Sequence, residues 1–336
     1  MAETGKLIEE LEVLSENLGK LHIAVLGDVM VDHYIVGQAT RISPEAPVPV
    51  IQCSRTYDMP GGASNVASNL KAMGCRVSLF GLTGDDAMAA TLGELLHHSH
   101  CDFLYLMADP GRPTTVKTRV LADGYQVTRI DWESAEKADK SIQNKVLHQL
   151  EAHFQNDRPE VLILQDYDKG FLHAAWIGKI LGLCRQYGIR VAVDPKERSF
   201  FAYRGVDLFK PNLREATLQY PGKYLSPDDL PALDAYLRSR IGCNTLMVTL
   251  AAGGIWLGDL QTPGRVFATE SRKVADVSGA GDTVISLAAI CMARSLSLEF
   301  MAMCCNEAGG QVCEKAGVVA VDRSMLLQKL ESMLRK

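Results

Sequence analysis

Short apolar runs alternate along this chain with longer stretches whose apolar residues recur every three or four positions. HIAVLGD, RVSLFGL, EVLILQD, RVAVDP, VDLFKP and TLMVTL each read as a short buried strand. Residues 63–74, 85–98, 139–155, 171–187, 212–219 and 228–239 carry the helical period between them. Buried strands alternating with helices predict an α/β fold with a mostly parallel central sheet covered on both faces. Two stretches break the alternation. Residues 33–56 are proline-rich and extended, and residues 112–131 read as two strands joined at Asp123-Gly124. Together they predict a small β-sheet standing off the body, as a lid or a subunit contact. Residues 1–20 form an N-terminal helical extension, with Leu7, Leu11, Leu14 and Leu18 at helical spacing. Residues 21–336 are expected to be one domain with that lid, since no linker, repeat or low-complexity segment interrupts them.

The residues that end the buried strands are polar. Asp28 follows the first, Asp166 to Lys169 another, Asp194 to Lys196 a third and Lys210 to Asn212 a fourth. Ligands of open parallel sheets bind beyond the carboxyl ends of the strands. Repetition at several strand ends points to a single site along one edge.

Composition narrows the classes. Nearly half of the 336 residues are apolar, enough for a sizeable core, and the formal charge of −5 argues against nucleic acid or an anionic membrane as main partner. No apolar run reaches membrane-spanning length, and the N-terminus is no secretory signal. Nine cysteines without a CxxC or a Cys/His framework predict a reduced, cytoplasmic protein. His97, His98 and His100 lie at the polar end of a helical run and read as a solvated helix end.

ADVSGAGDTV, residues 275–284, sets three small residues before an apolar helix that begins near Asp282. Small residues let a ligand approach the backbone, and free amides at a helix start attract an anion. A dinucleotide fingerprint would need glycine where Val284 stands, and a P-loop would need a Gly-Lys-Ser/Thr ending. Glycines serving only tight packing would leave Asp282 unexplained. An acid beside an anion site suits phosphoryl transfer to a hydroxyl, with amides for the phosphate and a base for the alcohol.

DVSGAGDT resembles the C-terminal signature of the ribokinase-like (PfkB) carbohydrate kinases, and PGGASNVASNLKAMG, residues 60–74, their N-terminal one. GDVMVD, RISPEAPVPV, LTGDD, KTRVLADGYQVTRID, DYDKG, DPK and PNLREA extend the likeness, in order, to bacterial D-glycero-β-D-manno-heptose-7-phosphate kinases. The resemblance runs from about residue 20 to the end. It implies ATP-dependent phosphorylation of that heptose 7-phosphate at C1, for lipopolysaccharide core synthesis, by a stand-alone kinase or one unit of a bifunctional protein. Another ribokinase-like sugar kinase, or a non-catalytic sugar or nucleotide sensor on the same fold, are the alternatives.

Roles follow from the resemblance. Asp282 would be the base, and the amides of Gly279, Ala280 and Gly281 would hold the phosphoryl group. Asp28, Asp32, Gly61, Gly62 and Asn65 would face the sugar, together with Asp166. Lys117, Arg119, Arg129, Lys169 and Lys196 would offer cations to the second phosphate. Asn212 and Glu215 would organise Mg2+. Asn212, Thr249, Gly254, Gly279, Gly281 and Asn306 would line the ATP site, although Leu250 and Ala251 replace residues that are often polar in relatives. The expected assembly is a homodimer through the lid.

Overall fold

The computed structural model describes residues 2–99, 101–224 and 226–335. Its strands are, in chain order, β1 His22–Gly27, β2 Val29–Ile42, β3 Pro49–Gly62, β4 Arg76–Thr83, β5 Phe103–Ala108, β6 Val116–Ala122 and β7 Tyr125–Trp132. They continue with β8 Val161–Gln165, β9 Arg190–Asp194, β10 Leu208–Phe209, β11 Thr245–Thr249, β12 Ile255–Asp259 and β13 Arg265–Phe267. The helices are α1 Ala2–Ser15, α2 Ala63–Ala72, α3 Ala87–His98, α4 Lys140–Asn156 and α5 Ala174–Tyr187. After these come α6 Leu213–Leu218, α7 Leu230–Ile241, α8 Ala280–Ala293, α9 Leu298–Cys313 and α10 Arg323–Leu334.

The large sheet has the order β13-β12-β11-β10-β9-β8-β1-β4-β5. It is parallel from β11 to β5, with β12 and β13 added antiparallel at one edge. Alternate residues of each strand enter opposite cores. Ile23, Val25, Val161 and Ile163 join the core under α2, α8 and α9, whereas Ala24, Leu26, Leu162 and Leu164 join the one under α4, α5 and α7. Burial on both faces is why these strands read as unbroken apolar runs. The expected mostly parallel sheet is present. β5 and β13 lacked that signal, because these edge strands are only partly buried; β12 is buried but only five residues long.

The smaller sheet is ordered β3-β2-β6-β7. Its last hairpin turns on Asp123 and Gly124, both at positive φ (52° and 84°), the geometry such a two-residue turn requires. The strands β2 and β3 begin and end at the central sheet, so the smaller sheet grows directly from the site edge.

Leu14 and Leu18 are fully buried in the first core, and α1 packs beside α10. Glu10 of α1 accepts hydrogen bonds from the N–H and Oγ of Ser297, the cap of α9. Six of the nine cysteines are buried, filling space as small apolar groups. His97 and His98 end α3; His100 lies outside the described residues. No helix among the described residues is long and apolar enough to cross a membrane.

Candidate active site

Register aligns the strand ends. Gly27 pairs with Gln165, and Gln165 with Asp194, so the residues after β1, β8 and β9 emerge side by side. Asp282, in the first turn of α8, meets them from the other side. Its Oδ1 accepts hydrogen bonds from Tyr167 OH (2.6 Å) and Gln165 Nε2 (3.1 Å), and its Oδ2 accepts one from Asn65 Nδ2 (2.8 Å). A carboxylate offers about four acceptor positions, and three are taken here. Burial lifts the Asp282 pKa to about 7, against the lowering effect of the Tyr167 and Asn65 hydrogen bonds. Burial and the charges of Asp282 and Asp194 hold the Tyr167 hydroxyl protonated, well above its ordinary range.

The amides at the start of α8 divide unequally. Ala280 N–H turns back to Val277 O (3.3 Å), so it is not among the free donors. Within the described residues, the N–H groups of Gly279, Gly281 and Asp282 meet no acceptor. Gly279 has φ 80°, and a side chain there would strike Asn65 Nδ2 at 2.7 Å. A β-carbon on Gly281 would lie 3.7 Å from Lys210 Nζ and 3.8 Å from Asp194 Oδ2. Those two groups form a buried ion pair (2.9 Å), so a cation sits beside the free amides. An anion meets both donors and positive charge at this helix start.

On the far side of Asn65, the glycine pair is shaped by carboxylates. A side chain on Gly61 would collide with Asp32 Oδ2, and one on Gly62, at φ 57°, with the carbonyl of Asp28. Asp32 is buried against Arg119, which donates to its Oδ1. Burial raises the Asp32 carboxyl above its usual range despite that guanidinium. Asp28 Oδ2 accepts the N–H groups of Tyr167 (2.7 Å) and Lys169 (3.2 Å), and so fixes the turn that carries Tyr167. Burial pushes its pKa up to about 6. Asp166 is fully enclosed, with Tyr203 OH (2.6 Å) and Asp168 N–H (2.8 Å) on its two oxygens. It is thus placed under the turn and not at a free surface; burial, then the charge of Asp28, brings its pKa to about 7.

The five basic residues fall into separate groups. Lys117 and Lys169 share Glu133 (3.3 and 2.7 Å), and Lys117 also reaches Asp131 (3.3 Å). Arg129 is half exposed and pairs with Asp131 (2.9 Å). Arg119 is held by Asp32. Lys196 lies apart from these, its ammonium on Glu215 Oε1 and 5.3 Å from the centre of the Tyr167 ring.

Residues 20–323 match the pfkB family of carbohydrate kinases. The bifunctional protein HldE of Methylobacillus flagellatus is 38% identical over 92% of this chain, and that of Shewanella amazonensis 37% over 93%. The chain spans 63% and 64% of their lengths. Among solved structures, phosphofructokinase-2 from Escherichia coli, in complex with potassium, superposes with a TM-score of 0.79 at 18% identity, over 94% of this chain and 100% of that one. Ribokinase of Arabidopsis thaliana, complexed with ribose and ATP, gives 0.69 at 16%, over 93% and 99%. The chain belongs to the pfkB family of carbohydrate kinases.

A carbohydrate kinase of this family takes a sugar and ATP. Of the expected nucleotide-side residues, Thr249 ends β11 and bridges to Asn212. Gly254, at φ 89°, leaves no room for a side chain against the carbonyl of Phe267. Asn306 Nδ2 donates to that same carbonyl (2.9 Å), so Asn306 ties α9 to β13. Asn212 and Glu215 cap α6 reciprocally: Asn212 Oδ1 accepts Glu215 N–H, and Glu215 Oε2 accepts Asn212 N–H, each at 2.8 Å. Their hard oxygens suit magnesium. Both Glu215 oxygens are nevertheless engaged, by Lys196 and by that N–H, which fits a hold through magnesium's water shell better than direct ligation.

The sequence reading left out several residues that gather here. Gln165 could have been noticed as the one polar residue closing an apolar strand. Lys210 and Asp194 stood at strand ends but had no assigned role. Tyr167 lay inside the DYDKG segment without an assigned role, and nothing local marks Glu133.

Proposed function

We propose that this kinase transfers the γ-phosphoryl group of ATP to the C1 hydroxyl of D-glycero-β-D-manno-heptose 7-phosphate. The product is the 1,7-bisphosphate, supplied to ADP-heptose and lipopolysaccharide core synthesis. The observation that carries the chemistry is Asp282: a buried carboxylate with one acceptor position left, set directly beside unpaired amides. The substrate rests on the sequence resemblance and on the basic residues of the smaller sheet, which acts as the lid.

In this reading Asp282 takes the proton of the sugar hydroxyl at its unfilled position on Oδ2. An anomeric hydroxyl is more acidic than an ordinary alcohol, which eases its transfer to a carboxylate titrating near neutrality. Tyr167, Gln165 and Asn65 hold the carboxylate in place. The free N–H groups of Gly279, Gly281 and Asp282, with Lys210 behind them, meet the negative charge of the migrating phosphoryl group. Asn212 and Glu215 would hold magnesium, which supplies charge neutralisation on the phosphates. Lys117, Lys169 and Arg129 present the cations for the distal phosphate, Asp28 shapes the sugar side, and closure of the lid over the sugar keeps water out.

The test is ADP release measured over heptose 7-phosphate, sedoheptulose 7-phosphate, fructose 6-phosphate and ribose, with Asp282→Asn as the companion variant. Heptose 7-phosphate should give the highest kcat/KM. Asp282→Asn should fold and bind ATP yet lose about 10²–10⁴-fold in rate, the usual contribution of a general base. Preference for fructose 6-phosphate would overturn the substrate, and near-wild-type turnover by the variant would overturn the base.

A further inference from the structure

At the opposite end of the sheet from the catalytic edge, a second group of chemistry-bearing side chains converges. His22 opens β1, Ser78 lies early in β4, and His153 and Asp157 sit at the end of α4. Ser78 Oγ lies 2.7 Å from His22 Nε2 and 2.8 Å from His153 Nε2, so one hydroxyl steadies both rings. His22 Nδ1 is buried without a hydrogen-bond partner, its nearest carboxylate contact being Asp157 Oδ1 at 3.7 Å. Asp157 Oδ2 is likewise buried and unpartnered, because Arg76 (2.7 Å) takes only Oδ1. His153 Nδ1 has the long contact to Tyr105 OH (3.3 Å). One donor atom from each of His22, His153 and Asp157 lies within 4.8 Å of the others.

Buried polar atoms without partners are uncommon and call for a cause. Two of them belong to one cluster of metal-ligating groups, and a bound cation would account for both. A serine hydroxyl can accept N–H from both Nε2 atoms, which leaves both Nδ1 lone pairs directed elsewhere. A cleft of about 420 Å³, whose lining includes Arg76, Phe103, Tyr105, Gln149, His153 and Asp157, opens on the His153 and Asp157 side of the cluster.

We propose that His22, His153 and Asp157 form a binding site for a borderline divalent cation such as Zn2+, separate from the kinase centre. Two imidazoles, one carboxylate and a water complete a tetrahedron with bonds of about 2.0–2.2 Å. Reaching it asks the three side chains to draw together by about an ångström. Ser78 is then the outer hydrogen-bond partner that orients the histidines. Bound metal would tie the end of α4 to β1 and β4 and stabilise the fold. Arg76 opposes it, since its cation is held on the same carboxylate.

The experiment uses the full chain, stripped with chelator and titrated with Zn2+ alone against a chromogenic competitor, with melting followed in parallel. One equivalent should bind and raise the melting temperature. His153→Ala and Asp157→Asn should each weaken that binding at least 10-fold, and Arg76→Gln should tighten it, while His97→Ala/His98→Ala leaves it unchanged. Co2+ should give the spectrum of nitrogen and oxygen ligation without a thiolate charge-transfer band, which separates this site from the cysteines. Circular dichroism and ATP turnover show that each variant is folded. Failure of Zn2+ to bind, binding indifferent to both His153→Ala and Asp157→Asn, or a thiolate spectrum would overturn the site.

Discussion

Asp282 combines two demands that usually conflict. A base near neutral pH needs a raised pKa, and burial supplies it; a base at rest needs a fixed orientation, and three donors supply that at the cost of lowering the pKa again. Tyr167 therefore works as a positioning residue whose loss has a signed consequence. Removing its hydroxyl takes away a bond that favours the charged carboxylate, so the Asp282 pKa rises further. Tyr167→Phe should shift the acidic limb of the kcat/KM profile to higher pH, because the base must be deprotonated to act; an unshifted limb would show that the contact is only structural. Glu133 makes a different kind of residue-scale prediction. It pairs with both Lys117 and Lys169, the cations we propose for the distal phosphate. Glu133→Gln should free both ammonium groups and lower KM for a sugar phosphate severalfold, with little change for an unphosphorylated sugar, as steady-state kinetics would show.

The start of α8 separates two glycines that look equivalent in GAG. Gly279 occupies a left-handed conformation with Asn65 pressed against it, whereas Gly281 is in the helix, where a β-carbon would make only ordinary contact with Lys210 and Asp194. An alanine at 279 costs about 1–2 kcal/mol for backbone conformation alone, plus the displacement of Asn65. Gly279→Ala should lower the melting temperature. Gly281→Ala should melt like the parent and still lose turnover if, as we propose, the phosphoryl group approaches these amides, because the methyl group would stand in its way. Thermal melting and ADP release on the two variants distinguish these outcomes. The other elements were legible in proportion to their burial. The doubly buried strands announced themselves as apolar runs, and the helices as periodic ones. β5 and β13 did not, because strands at a sheet's edge bury less and alternate less cleanly.

For the molecule as a whole, the smaller sheet is the exposed feature. All of β7 is exposed, including Tyr125, Val127, Ile130 and Trp132, and Ile42 and Val48 are exposed near the β2–β3 turn. An apolar edge strand invites pairing with another edge, and a second copy of the same sheet is the partner we propose. Light scattering should give twice the chain mass, and Ile130→Asp/Trp132→Asp should halve it while leaving the melting transition cooperative. A monomeric parent chain would remove the dimer. The sequence by itself determined the parallel sheet, the smaller sheet, the polar strand ends along one edge and the glycine-aspartate turn that opens α8, because periodicity and local backbone demands are written in neighbouring residues. Only the tertiary structure decided that Gln165, Tyr167 and Asn65 converge on Asp282, that Ala280 turns its amide away, and that Glu133 holds Lys117 and Lys169. The convergence on Asp282 and the Glu133 pairs depend on groups far apart in the chain being brought together by the fold, and no local pattern encodes that distance; the Ala280 amide is decided by the exact backbone path of its own turn.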